Sequence, residues 1–342
     1  MIRNLLTAIS AAAVCGALIS GSALGQGATT APGDIEALVK AARAEGELLY
    51  YIGVTENVAK RTSDAFFAKY GVRATFVRLP GAAGVRRYAT EAEAGNIAAD
   101  LLFTSGPAEA FAADSAKKGW VEPISQAGLP VLRGEYPQRF LLGHTAIVQV
   151  APWIMAYNTE RLKGSDIPKE WTDLLHPRFK GQLLLADPKA ADAYLDQWNL
   201  YLDRFGESFL TRLKDQNMRV FQGAVPATNA LAAGEGLVQF PGTSQQYQAL
   251  IDKGAPLKMV TPELTSGIEL KVTVTHRGKA KHPNAARLFA NYVLSQEGNK
   301  VFNADPGLYS VYDLGGLPKQ YVSPKADATA RKDLVLKLLG LQ

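Results

Sequence analysis

Three short segments combine residue types suited to holding a small molecule: Gly53-Val54-Thr55-Glu56, Leu79-Pro80-Gly81-Ala82 and Thr104-Ser105-Gly106. Each follows an apolar run and precedes a helical one. A helix start leaves backbone N–H groups without intrahelical partners, and those groups can bind a ligand's oxygen atoms. Thr55 and Ser105 add hydroxyls, and Glu56 adds a carboxylate that also suits the first turn of a helix. The chemistry on offer is binding. The one cysteine is Cys15, and there is no Gly-x-Ser-x-Gly elbow, His-Glu-x-x-His pair or phosphate loop. His144, His176, His276 and His282 lack the short spacing of a metal site. We therefore expect neither a catalytic residue nor a metal or other cofactor.

The elements around these segments alternate between helix and strand. Ile35, Leu38, Val39 and Ala42 share one helical face, which Gly46 ends. Leu48 to Ile52 reads as a buried strand in which Tyr50 and Tyr51 point to opposite faces. A helix over about 58–70 closes on Gly71, a strand runs from Val72 to Arg78, and a helix carrying Glu91 and Glu93 ends at Gly95. Asp100 to Thr104 is a third strand, followed by a helix to Lys118. Repeated strand–helix units predict a parallel sheet with helices on both faces, and ligands bind beyond the carboxyl ends of such strands. Applied here, that rule brings the three segments to one crevice: Thr55, Glu56, Pro80, Gly81, Ser105 and Gly106 are the candidate contacts.

Further on, two extended runs, 147–151 and 153–157, are separated by Pro152 and suit a crossing between two lobes. A second α/β unit follows from Trp171, a strand is predicted over 271–275, and 284–302 reads as one amphipathic helix.

Arg3, the apolar run Leu5–Ile19 and the small residues Gly21 to Gly25 have the layout of a secretory signal peptide cut before Gln26. Cleavage there would leave a mature chain without cysteine, soluble outside the cytoplasm. With 37 basic and 32 acidic residues, the formal net charge is +5 and is spread along the chain. That distribution argues against a nucleic-acid partner.

The chain resembles the family 1 extracellular solute-binding proteins, in particular the branch that includes ferric-ion-binding proteins. The matching segments are Glu45 to Tyr51, Ala98 to Leu102, Trp171-Thr172-Asp173-Leu174-Leu175-His176-Pro177-Arg178-Phe179-Lys180-Gly181, Ala186-Asp187-Pro188, and Asn284 to Phe289 with Leu294-Ser295-Gln296-Glu297-Gly298. Their order and spacing carry the likeness across nearly the whole mature chain. The resemblance implies an α/β, type II periplasmic-binding fold: two α/β lobes joined by two crossing strands, with a ligand cleft between them. On that basis residues 1–25 are the signal peptide, 26–150 the first lobe, 151–257 the second lobe, and 258–342 the rest of the first lobe with the C-terminal helices. The Trp171–Gly181 motif itself reads as core and turn.

The function implied is capture of a small solute in the periplasm by a monomer that delivers it to the permease of an ABC importer. Ferric-ion binders of the branch use two adjacent tyrosines, and the matching stretch here, Phe240 to Tyr247, offers Tyr247 alone. A ferric-ion binder therefore stays as the alternative, beside a periplasmic ligand sensor, and an enzyme is disfavoured. In place of the tyrosine pair, Gly242, Thr243, Ser244 and Gln245 supply hydroxyl and amide groups that suit an oxygen-bearing organic solute. Ala190-Ala191-Asp192 lacks the hydroxyls with which relatives hold oxyanions, and Gly223 to Pro226 lacks serine. Arg86 and Arg87 either reach an acidic ligand or are solvated; Trp153 either stacks on the ligand or packs between the lobes.

Overall fold

In a computed structural model, which describes residues 35–79, 82–325 and 327–342, the alternation read from the sequence builds two α/β units, each with its own sheet. The proposed signal peptide lies outside the described residues. The first unit opens with α1 (Ile35–Glu45), β1 (Glu47–Ile52), α2 (Glu56–Tyr70), β2 (Arg73–Arg78), α3 (Ala83–Glu93), β3 (Leu101–Thr104), α4 (Ala108–Lys117) and β4 (Val121–Glu122). The chain then crosses through β5 (Ala146–Pro152) into β6 (Ile154–Asn158). In the second unit follow β7 (Leu183–Ala186), α5 (Ala193–Phe205), α6 (Glu207–Asp215), β8 (Arg219–Phe221), α7 (Ala224–Ala232), β9 (Val238–Gly242), α8 (Ser244–Ile251) and β10 (Leu257–Val260). The return runs through β11 (Leu264–Thr265) and β12 (Gly267–Thr275) to α9 (Pro283–Leu294) and α10 (Gln296–Phe302), and β13 (Gln320–Tyr321) and α11 (Lys332–Leu339) end the chain.

The first sheet has the order β2-β1-β3-β12-β4, with β5 also paired to β12. Strands β1, β2 and β3 are parallel, as expected, and the returning β12 runs antiparallel to β3. Alternation along β1 sends Tyr50 and Tyr51 into different cores. The Tyr50 hydroxyl donates to Ala59 O at 3.1 Å, and the Tyr51 hydroxyl donates to Glu91 at 2.6 Å on the other face. Helix α2 ends on Gly71 in the left-handed conformation (φ 71°), its N–H returning to Phe67 O, as the sequence predicts.

The second sheet has the order β10-β6-β9-β7-β8. The Trp171–Gly181 motif serves its packing, as read. Trp171, Leu174 and Phe179 are buried, and the Trp171 indole N–H donates to Leu264 O beside the return crossing.

Two expectations need correction. The stretch 284–302 is two helices, because Ser295 leaves helical geometry (ψ 157°) and its hydroxyl accepts from Gly298 N to cap α10. Gly298 is required there: a Cβ would lie 1.9 Å from Tyr292 O. Nor does everything after residue 258 return to the first lobe. Strand β10 pairs with β6, β13 pairs with β11 beside the crossing, and α11 packs Val335 and Leu339 into the second core against α5 and α6. The apolar face of so short a helix needs a partner, and the second unit supplies it. Among the described residues, no helix is long and apolar enough to cross a membrane.

Candidate functional site

Parallel pairing of Ile52 with Arg78 on one side and Phe103 on the other aligns the carboxyl ends of β2, β1 and β3. The loops that carry the candidates of the first unit therefore leave the same edge of one sheet. Thr55 is half-buried at the start of α2 and its side chain makes no capping bond; Glu56 is exposed in the first turn. Ser105 and Gly106 are half-buried before α4, and Gly106 has φ 66°, a left-handed turn that favours glycine. Pro80 and Gly81 lie outside the described residues.

In the second unit Thr243, Ser244 and Gln245 follow the carboxyl end of β9 and open α8. Thr243 begins that helix as a capping box, with its N–H donating to Gln246 Oε1 at 3.1 Å. Ser244 is buried, and its hydroxyl has no partner; the amide nitrogen of Gln245 has none either. Gly307, in the loop after α10 of the first unit, sits so close that a Cβ there would be 2.7 Å from Ser244 Oγ. The α8 start thus faces the first unit.

Tyr247 is placed differently from the rest of its loop. It is fully buried, its hydroxyl donates to Gln239 O at 3.3 Å, and burial pushes its pKa well above the usual phenol value. Gly242 is the small residue that makes room for it, since a Cβ on Gly242 would lie 1.9 Å from the Tyr247 hydroxyl oxygen. These two residues pack inside the second unit; the resemblance implied a place in the cleft because their stretch matches the one that carries the tyrosine pair of ferric-ion binders.

The backbone of Trp153 lies in the crossing, between β5 and β6. Its N–H donates to Ser266 O at 2.8 Å, and its carbonyl accepts from the Thr265 hydroxyl at 2.7 Å. The indole stacks on Tyr194 with centroids 5.0 Å apart, and its ring N–H has no partner. Gln197 Oε1 ties α5 to the same crossing by accepting from Ser266 N at 2.9 Å. The Trp153 ring therefore packs in the core of the second unit, not between the lobes, with one donor left over.

The side chains that the sequence reading passed over lie on β12. Glu269 and Lys271 are buried to 6% and 7% exposure, and the Lys271 ammonium is 3.9 Å from Glu269 Oε2. Lys271 lies opposite Thr104, the last residue of β3, so it stands at the same sheet edge as Ser105. Burial lowers its pKa, against the pull of the carboxylates of Glu269, Asp196 and Glu109. Asp196, in α5 of the second unit, is pushed up to about 6 chiefly by burial, while the N–H of Lys325 and the charge of Lys271 oppose the rise. Two charges within a β-strand of otherwise uncharged residues, Gly267 to Thr275, were the signal that could have found them.

Other candidates are spent elsewhere. Arg86 is exposed, and Arg87 pairs with Glu91 over the Tyr51 ring. Asp192 faces Lys332 of α11 at 3.7 Å. His144 meets Glu109, His282 meets Asp100, and His176 caps its own turn. Among the described residues no group of three or more His, Cys, Asp or Glu side chains is placed to hold a metal ion.

A family model described as bacterial extracellular solute-binding protein matches residues 97–331. Over 272 residues the chain is 30% identical to an uncharacterized protein of Haemophilus influenzae, covering 76% of each. It is 23% identical over 310 residues to the Fe(3+)-binding periplasmic protein of Serratia marcescens, covering 86% of this chain and 87% of that one. The structure resembles the periplasmic binding protein AfuA of Actinobacillus pleuropneumoniae, solved with fructose-6-phosphate bound. The TM-score is 0.63 at 23% identity, over 87% of this chain and 99% of the other. That likeness shows the type II periplasmic-binding fold.

Proposed function

The chain belongs to the bacterial extracellular solute-binding proteins, and from that premise we propose that it captures a small, oxygen-bearing organic solute between its two lobes and delivers it to the permease of an ABC importer. In this reading residues 1–25 direct export to the periplasm, and the mature chain acts as a monomeric binding protein without a chemical step. One observation carries the placement of the solute. Hydrogen-bonding atoms that are buried yet unpartnered occur on both sides of the crossing: Thr104 Oγ1 in the first unit, and Ser244 Oγ, Gln245 Nε2 and Trp153 Nε1 in the second. Buried polar atoms are nearly always satisfied, so such a set calls for a guest that supplies partners. A solute touching both lobes favours the closed arrangement by its differential contacts.

The ferric reading draws on the name of the Serratia relative, but it needs a phenolate from Tyr247, whose hydroxyl is held protonated against Gln239 O. Support therefore goes to an organic solute.

Ser105→Ala and Ser244→Ala should each weaken binding of the solute several-fold to about tenfold, the usual cost of one lost hydrogen bond. Stability of the unliganded protein should change little. His176→Ala, at an exposed turn, should leave affinity as it is. Calorimetric titration measures all three, and unchanged affinity in both serine variants would remove the solute from this crevice.

A further inference from the structure

The charge of the solute can be read from β12. We propose that the cleft selects a solute bearing a carboxylate, and that Lys271 is the residue that receives it; the inference rests on the solute-binding function above. An ammonium has three N–H donors. Lys271 uses one, a long bond of 3.3 Å to Glu269 O, and its carboxylate neighbour at 3.9 Å is beyond hydrogen-bonding distance. Its environment leaves no room for bulk water to satisfy the rest, because the residue is 7% exposed.

The same face of the sheet carries more unused donors. In an antiparallel pair, residues directly opposite share a face, as do residues two apart on one strand. Lys271 is opposite Thr104, and Thr273 is two residues further along β12. The hydroxyls of Thr104 and Thr273 are both buried without a partner. Lys271 and Thr104 stand at the strand end where the first unit's loops converge, and Thr273 lies inside it opposite Leu102; a cation beside two free hydroxyls is a receptor for an anionic oxygen group.

The surrounding acids set how much negative charge fits. Glu109 is occupied by the N–H and ring of His144 and by the Thr145 hydroxyl. Asp196 accepts from Lys325 N, and Glu269 from the Tyr321 hydroxyl. These carboxylates leave Lys271 as the one cation facing the crevice among the described residues of this cluster, and they repel surplus negative charge. A carboxylate, with a single charge, adds the least negative charge to a cluster in which Lys271 already faces Glu269, Asp196 and Glu109. A phosphate monoester, with about −1.5 to −2 at neutral pH, would bring charge that nothing here balances.

The test is a titration of the mature protein with acetate, succinate, malate and glutamate, beside inorganic phosphate, glucose 6-phosphate and putrescine. At least one carboxylate should bind saturably. Lys271→Met, which keeps the length of the side chain, should weaken that binding at least about tenfold, and Thr273→Val several-fold. Thermal unfolding without ligand shows whether each variant is folded, and the threonine variant keeps the test open if the lysine variant is not. Binding confined to the phosphates or to putrescine overturns the assignment to Lys271 while keeping the solute-binding function. So does carboxylate binding that both variants leave intact. No binding by any of the four carboxylates also counts against it, and no binding by any of the seven compounds counts against the function as well.

Discussion

Asp100→Ala is expected to cost about 4 kcal/mol of stability, the range for removing one partner from a buried charged network. Asp100 has no exposure and accepts four hydrogen bonds. Oδ1 takes the N–H groups of Lys281 and His282 at 2.8 and 2.9 Å. Oδ2 takes Leu49 N and His282 Nδ1, both at 3.0 Å. The carboxylate thus ties β1 to the segment that leads into α9, just before β3 begins. Alanine would take this acceptor from all four donors, which are partly buried. Asp100→Asn keeps the shape and one acceptor, so its cost should be smaller. Urea unfolding measures both, and a loss below about 1 kcal/mol for the alanine variant would mean that the network is dispensable.

Asp196→Asn is expected to act in the opposite direction and raise stability at pH 7.5 by about 2 kcal/mol. With its folded pKa at about 6 and an unfolded carboxylate near about 4, Asp196 favours the folded state most when protonated. Its contribution is complete below about pH 4 and is lost as pH rises through about 6, so at neutral pH the buried charge is a cost. The gap corresponds to at most about 3 kcal/mol and is already net of the attraction to Lys271. Asparagine removes the charge and keeps an oxygen for Lys325 N, which donates at 3.1 Å. Thermal unfolding from pH 4 to 7.5 should show the wild-type decline across this window flattened in the variant. A variant less stable than wild type at pH 7.5 would show that the charge has a compensating partner.

Much of the first unit was legible because its information is local. Apolar runs and glycine stops mark β1, α2, β2 and β3 in order, and parallel pairing then fixes that Thr55 and Ser105 leave one edge. Family likeness extended this to the polar start of α8, where Ser244 and Gln245 have unused hydrogen-bonding atoms. What escaped was set by packing and pairing that the pattern of residue types does not display. Tyr247 flanks that polar triplet, yet the space beside Gly242 draws its ring inward. Lys271 is a charge inside a strand, and only the register with Thr104 shows that it stands at the same sheet edge as Ser105. The destination of α11 depends on an apolar surface of α5 and α6 that no local pattern reveals.

The central claim is that a solute sits between two lobes that close on it, and small-angle X-ray scattering of the mature chain tests this most directly. The account predicts that the radius of gyration falls as the solute found by titration is added and levels off at one solute per chain. A bound solute that leaves the radius unchanged, with the Ser244→Ala variant binding as tightly as wild type, would contradict it.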